Sequence, residues 1–291
     1  MHMNTAIIAD SISCIPEEQV EKYHIKIVPA NVFFNDHIYR DLIDLSSEKA
    51  YELLEKAPEF WKTSAPSPED YVEAYQELAN RAENILVVTI SSKLSAFYSS
   101  ALNGREIFQQ KNPNITVEVL DSETVAAAEG LIVLAAARAT ERGKPFSEVV
   151  SIATRVKERV KFIGLLETIR FVYRTGRIPK VASEIGSMLS IKPILTGASG
   201  HIHFAAAARS KHNGIKKMLR MMGDHVNNEA PVHVAVMHAE TMGEAKKLKE
   251  TIASEFNCVE IFITDFSPIM GYATGPGTLA IAYYKEDESI S

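Results

Sequence analysis

Three short apolar runs limit most strongly what this chain can fold into. TAIIA (residues 5–9), ILVVTI (85–90) and ITVEVL (115–120) are rich in β-branched residues and too short to be helices. Each ends in a polar cluster, at Asp10-Ser11, Ser91 to Ser95 and Asp121-Ser122. Helical segments fill the intervals. IPEEQVEKYH opens with Pro16 and two acids, as a helix N-terminus prefers. SSEKAYELLEKA and PSPEDYVEAYQELA follow, the second with Ser67 placed to cap it. LSAFYSSALNGREIFQQ and the long AAAEGLIVLAAARATERG complete the set, with Gly143 placed to close the latter. IKIVPANVFF reads as a further strand with a proline interruption. Strand and helix alternating through short polar connections predict an α/β fold, a mostly parallel sheet flanked by helices. Ligands of such sheets lie beyond the carboxyl ends of the strands. Three hydroxyl-rich turns are expected there: Asp10-Ser11, Thr63-Ser64 and Ser91 to Ser95.

The second half has a different rhythm. Strands are expected at KFIGLLE, HIHFAAA, PVHVAVMHA, VEIFITDF and TLAIAYY, and helices near FVYRTG, KVASEIGSML, KHNGIKKMLRMM and GEAKKLKETIASEF. TDFSPIMGYATGPG reads as a Gly-Pro-rich turn before the last strand. A chain of 291 residues can bury two cores. The division falls in the connector ERGKPFSEVVSIATRVKERVKF, giving residues 1–155 an α/β domain with a mostly parallel sheet, and 156–291 a second α/β domain with a mixed sheet.

Composition excludes several classes. Net charge is −6, and no basic stripe of the kind that binds nucleic acid is present. Cys14 and Cys258 have no metal-ligand spacing, and a chain this long does not need a disulfide staple, which points to a reducing cytoplasm. MHMNTAIIADS lacks the apolar core of a signal peptide, and LIVLAAARA is too short to span a bilayer. The nine histidines form no zinc set: His201 and His203 share one strand face, but no third ligand accompanies them. No cofactor is implied.

The chemistry is carried by small alcohols. Ser92, Ser95, Ser99 and Ser100 crowd the start of a helix, where a serine either caps the helix or, with the backbone N–H groups, holds an anion. Thr63 and Ser64 repeat the pattern before the Ser67 cap. Neither cluster has an acid or base beside it, so a nucleophile would need one from a distance, with His201, His203 or His233 as the suspects. Arg170, Arg174 and Arg177 ring a short apolar stretch, as a helix-end charge or as a docking rim for an anion or partner. Gly275-Pro276-Gly277 either lets backbone approach a ligand or is a plain turn.

Six motifs in order carry a family resemblance along essentially the whole chain. IIADSISCIP, TSAPSPEDY, ISSKLSAFYSSA, DSETVAAAEG, YRTGRIPK and GSMLSIKPIL lead to the terminal TGPGTLAIAYY. The chain strongly resembles the DegV family of bacterial fatty-acid-binding proteins. The resemblance implies two domains holding one long-chain fatty acid between them, with the carboxylate on hydroxyls matching Thr63 and Ser95. It places Ser64, Ser92, Thr274 and Gly275 beside them. It also implies a non-catalytic lipid-binding subunit that presents the acid to a separate ATP-dependent fatty acid kinase subunit, whose acyl phosphate product feeds phospholipid synthesis, with at most transient membrane contact. Arg170, Arg174 and Arg177 then become partner-docking candidates, and Arg209 a pocket or docking arginine. Three positions depart from the pattern. The family often carries a histidine near the terminal TGPG; here Tyr272 and Ala273 stand there, and either the Tyr272 hydroxyl or a water is the substitute. Ala96 and Phe97 replace a usual glycine and threonine, enlarging the side chains beside the anion site. A serine hydrolase using Ser92 or Ser95, and a lipid-sensing protein for another amphiphilic acid, are the alternatives.

Overall fold

A computed structural model describes residues 3–56, 61–178, 191–227 and 229–286. The first half forms a parallel four-stranded sheet in the order β2-β1-β6-β7. Its strands are β1 (Met3–Asp10), β2 (Lys26–Val28), β6 (Ala82–Thr89) and β7 (Thr116–Asp121). Ile7 and Ile8 of β1 and Ile85 to Val88 of β6 are buried, as a parallel sheet covered on both faces requires. The helices α1 (Glu17–Lys22), α3 (Pro68–Ala79) and α4 (Phe97–Gln109) flank it. Ser67 caps α3 in a reciprocal arrangement with Asp70, as the sequence predicts.

The second half builds a six-stranded mixed sheet, β10-β9-β8-β13-β11-β12. These strands are β8 (Lys161–Leu165), β9 (Lys192–Ala198), β10 (His201–Ala208), β11 (Val232–His238), β12 (Cys258–Asp265) and β13 (Leu279–Lys285). Only β11 and β12 run parallel; β13 is antiparallel to both β8 and β11. Val232, Val234 and Val236 point to the outer core, under α8 (Lys211–His225) and α9 (Met242–Glu255). Ala235 and Met237 point the other way, into a core shared with the first sheet.

The helix α5 (Ala127–Glu141) joins the two halves. It packs on β1 and β6 on one side and on β11 and β13 on the other. Twelve of its residues are buried, from Ala127 to Ala137 and Ala139. Alanines predominate because both sheets must approach the helix closely. At Gly130 a Cβ atom would lie 2.4 Å from the carbonyl oxygen of Ser13. Two polar residues interrupt this apolar surface: Glu129, fully buried, and the half-buried Arg138, whose Nη2 donates to both carboxylate oxygens of Glu260 on β12 at 2.5 Å. Helix α6 (Phe146–Arg159) then leads into β8.

A third, small antiparallel sheet, β4-β3-β5, was not evident from the sequence. It holds β3 (Asn31–Phe34), β4 (His37–Arg40) and β5 (Trp61–Ser64). IKIVPANVFF is therefore two strands rather than one. Pro29 has no N–H to continue the ladder, so β2 pairs with β1 while β3 turns away to pair with β4 and β5. The small sheet packs with α2 (Ser47–Lys56) against α10 (Pro268–Thr274), a helix where the sequence suggested only a turn. Strand β9 was likewise missed, and α7 (Arg170–Arg174) is a single short turn of helix. The helix expected at KVASEIGSML lies outside the described residues. Among the described residues no helix is long and apolar enough to cross a membrane, and no group of three His, Cys, Asp or Glu side chains could hold a metal ion.

Because neither backbone can yield at the α5 contact, Gly130→Ala is expected to lower stability by about 1–3 kcal/mol. Gly243, with open space around its Cβ position, is the control. Gly243→Ala should be neutral or slightly stabilising. Urea midpoints of both variants check the contrast.

Candidate functional site

The ends of the parallel strands are fastened by buried polar groups. Asp10, fully buried at the end of β1, accepts N–H bonds from Ile12 at 2.9 Å and Ile90 at 2.8 Å. Ser11 Oγ accepts the N–H of Ala30 at 3.1 Å, at the end of β2. The buried Asp41 accepts the N–H of Ile269 at 3.3 Å. Asp10 and Ser11 thus stay behind the surface and fix the residues in front of them. Ile12, Ala30, Ile90 and Ile269 all face one cavity.

That cavity holds about 930 Å³ of empty space, counting its opening to solvent. Residues from both halves of the chain line it, Val125 and Phe97 from the first, Phe162, Leu166, Leu195 and Ile202 from the second. Most of the wall is aliphatic or aromatic. Its polar members are Thr63, Ser64, Ser95, Thr175, Arg177, Tyr272 and Thr274. Arg177 is the one lining residue with a fixed charge, and no His, Asp, Glu or Cys lines the cavity among the described residues.

The hydroxyls differ in how far they are already committed. Thr274 donates to the Met270 carbonyl at 2.8 Å and Thr175 to the Val172 carbonyl at 2.7 Å. Tyr272 stacks on Trp61 with centroids 5.4 Å apart, its hydroxyl 3.5 Å from the Trp61 carbonyl oxygen. Thr63, Ser64 and Ser95 have no hydrogen-bond partner for their hydroxyls among the described residues. Thr63 and Ser64 end β5, paired with Val32 and Asn31 of the small sheet, so they do not stand at a parallel-strand end as the sequence suggested. Nor does Ser95 cap α4: the cap residue is Ala96, which makes no side-chain bond. The Ser95 N–H donates to the Ser91 carbonyl at 3.1 Å, turning the chain so that Ser95 faces the cavity. Three hydroxyls without a partner among the described residues, and the Arg177 guanidinium, whose Nη1 donates to the Thr175 carbonyl at 2.7 Å, therefore line a largely apolar space.

Other expected site residues lie elsewhere. Ser92 is exposed outside the lining, its N–H donated to Asp121 at 3.2 Å. Arg209 edges a separate recess beside Lys216 and Lys217. Gly275 is not in the wall; its φ of +83° and the Phe171 ring, 2.2 Å from where its Cβ would be, show a glycine required by packing. Arg170 and Arg174 edge a third recess with Glu240 and Pro276, and Arg174 stacks over Phe171 at 5.0 Å. Arg177 parts from them and joins the cavity. Phe97 is a buried lining residue, whereas Ala96 is exposed and outside it. Thr175, Phe162, Leu195 and Ile202 were not foreseen; Ile202 had a signal in the alternation along β10, whereas Phe162, Leu195 and Thr175, just after α7, had none. His201 and His203 are exposed on β10, and His233 is held by Glu260 at 3.1 Å.

Fold and cavity define a two-domain α/β protein with a largely apolar cavity lined from both halves of the chain. The profile described as "Uncharacterised protein, DegV family" matches residues 4–286, and the chain belongs to that family. A DegV domain-containing protein of Clostridium acetobutylicum is 32% identical over 284 residues, covering 98% of this chain and 99% of the relative. Two solved structures share the architecture. The DegV family protein of Thermus thermophilus, described for its fatty acid binding, superposes with a TM-score of 0.90 at 25% identity, over 98% of this chain and 100% of that one. DegV of Bacillus subtilis, a fatty acid binding protein, gives 0.88 at 27% identity over 98% and 100%.

Behind the cavity, burial pushes the Asp10 carboxyl up to about 7 against the two N–H bonds it accepts. Glu129 of α5, also fully buried, is raised well above the usual carboxylate range by burial and by Asp10. Both Asp10 oxygens accept N–H groups, so the proton of the pair belongs on Glu129. The folded chain holds protons that the unfolded chain releases near pH 4 to 5, roughly. Stability from this pair is therefore full below that range and is lost as pH rises toward and beyond 7. Glu129→Gln, which has no proton to lose, should show a flatter decline in stability than the parent from about pH 4 to 8. Parallel slopes of urea midpoint against pH would refute the assignment.

Proposed function

We propose that this protein binds one long-chain fatty acid, with the carboxylate on Thr63, Ser64 and Ser95 and the tail in the apolar cavity. The observation that carries this reading is the set of three hydroxyls, without a hydrogen-bond partner among the described residues, in the wall of a largely apolar space. A carboxylate already bears its charge and needs donors rather than a base. Hydroxyls and the Arg177 guanidinium supply charge-assisted hydrogen bonds that offset its loss of water. The tail supplies the affinity. Fourteen or so methylenes at about 0.8 kcal/mol each contribute roughly 11 kcal/mol gross, from which ordering the ligand and protein subtracts a large part. The fatty acid binding described for the Thermus and Bacillus relatives supports the same reading. Domains 1–155 and 156–291 then close on the ligand from opposite sides.

A serine hydrolase would need a base against Ser95. Among the described residues the cavity wall has none, and the histidines are exposed or held elsewhere. In our reading the chain is a carrier that presents its carboxylate to a separate ATP-dependent kinase subunit. Arg170 and Arg174, outside the cavity, form the docking edge, while Arg177 belongs to the carboxylate end.

Ser95→Ala should weaken binding of a long-chain acid by about tenfold or more, the value of a hydrogen bond to a charged group, with the lipid-free melting temperature unchanged. Isothermal titration of delipidated protein reads it; an unaltered Kd removes Ser95 from the site. Arg174→Glu should retain its lipid by mass spectrometry yet lose acyl phosphate formation when kinase subunit and ATP are added. Turnover equal to the parent's would exclude this docking edge.

A further inference from the structure

The cavity runs along the ends of the first sheet, and the strand order gives it a direction. Ala30, Ile12, Ile90 and Val125 follow the ends of β2, β1, β6 and β7, the spatial order of that sheet. Ser64 pairs with Asn31, just beyond β2, so the Thr63–Ser64 hydroxyls stand at the β2 end. The β7 end lies three strand spacings away, about 14 Å at ~4.8 Å each. There the wall is closed by the second domain. Gly197 of β9 lies between Thr124 and Phe162: its Cβ position is 3.8 Å from Thr124 Oγ1 and 3.9 Å from Phe162 Cβ. Ile202 of β10 pairs with the same glycine.

The Phe162 ring occupies room that a glycine leaves. It shares one face of β8 with Gly164 and the following Leu166. The absent Gly164 side chain leaves a gap that the ring fills: the Gly164 Cβ position is 3.2 Å from Phe162 Cζ and 3.3 Å from Cε1. The ring thus lies along the strand over Gly164, pointing toward Leu166, and is buried in the cavity wall. A large side chain over a glycine, at the end of the cavity remote from the β5 hydroxyls, is a stop whose size sets the usable length.

We propose that Phe162 is the end wall of the tail cavity and determines which acyl chain length this protein prefers. The proposal rests on the fatty acid reading above. Removing the ring opens space in line with the tail, so longer acids bury methylenes that the parent excludes, each worth about fourfold in affinity. A methyl group at Gly164 has the opposite effect. The ring must give way by a few tenths of an ångström, and a shift toward the cavity it lines shortens the usable space.

The test is competitive loading. Delipidated parent, Phe162→Ala, Phe162→Leu and Gly164→Ala are each equilibrated with an equimolar ladder of saturated acids from lauric to behenic. Bound acids are then read by native mass spectrometry, with melting temperatures as the folding check. The expected result is a shift toward longer acids in Phe162→Ala, a smaller shift the same way in Phe162→Leu, and a shift toward shorter acids in Gly164→Ala. Should Phe162→Ala not fold, Phe162→Leu and Gly164→Ala still move in opposite directions if the proposal holds. An unchanged distribution in folded, lipid-loaded variants overturns the role of Phe162 and leaves the fatty acid reading standing. A parent that takes up no acid from the ladder overturns both.

Discussion

A helix that is apolar on every side can be satisfied only by burial on every side, and α5 imposes that condition on the whole molecule. Two sheets of different type meet across it. The parallel sheet covers one face and the mixed sheet the other, and a single core runs through both. Its small residues bring the sheets close, and at Gly130 the turn after β1 approaches so nearly that the Ser13 carbonyl leaves no room for even one added carbon. The segment just before α5, Thr124 and Val125, stands at the end of the contact, where the sheets separate and the cavity begins. The cavity is the space that this packing leaves open at the strand ends.

The polar groups divide into two sets with different duties. Asp10, Ser11 and Asp41 are spent on backbone N–H groups and face away from the ligand space. Thr63, Ser64 and Ser95 line it, and their hydroxyls have no partner among the described residues. The first set fixes the isoleucines of the wall, and the second offers donors to an anion. Burial of the Asp10–Glu129 pair has an energetic cost at neutral pH that a purely apolar support would avoid. In return, both Asp10 oxygens tie the ends of two neighbouring strands with short hydrogen bonds, holding Ile12 and Ile90 in one geometry.

Legibility in the sequence followed how local each signal was. The four parallel strands and most helices could be read because β-branched runs, proline at first turns and the Ser67 cap act within a few residues. The small sheet could not, since β3, β4 and β5 are short, carry polar residues and find partners across up to about thirty positions of chain. Pro29 marked a break without showing that the two sides enter different sheets. Helix α10 was hidden by the glycines and prolines around it, which serve close approach to Tyr51 and Phe171. At the site, Thr63 and Ser95 were singled out as hydroxyls in search of an anion, but the local reasons were imperfect: one ends an antiparallel strand and the other stands ahead of a cap. The separation of Arg177 from Arg170 and Arg174 is a matter of three-dimensional placement that their spacing in the chain could not reveal.

The stack of Trp61 on Tyr272 joins the small sheet to α10 across more than two hundred residues of sequence. Trp61 is also the only tryptophan in the chain. Its indole is buried two positions before Thr63, against a ring that faces the ligand space. Indole emission, excited at wavelengths beyond the absorption of the ten tyrosines, therefore has one source, placed by the fold at the seam between sheet and helix. The molecule carries its own optical probe of that seam, free of any attached dye.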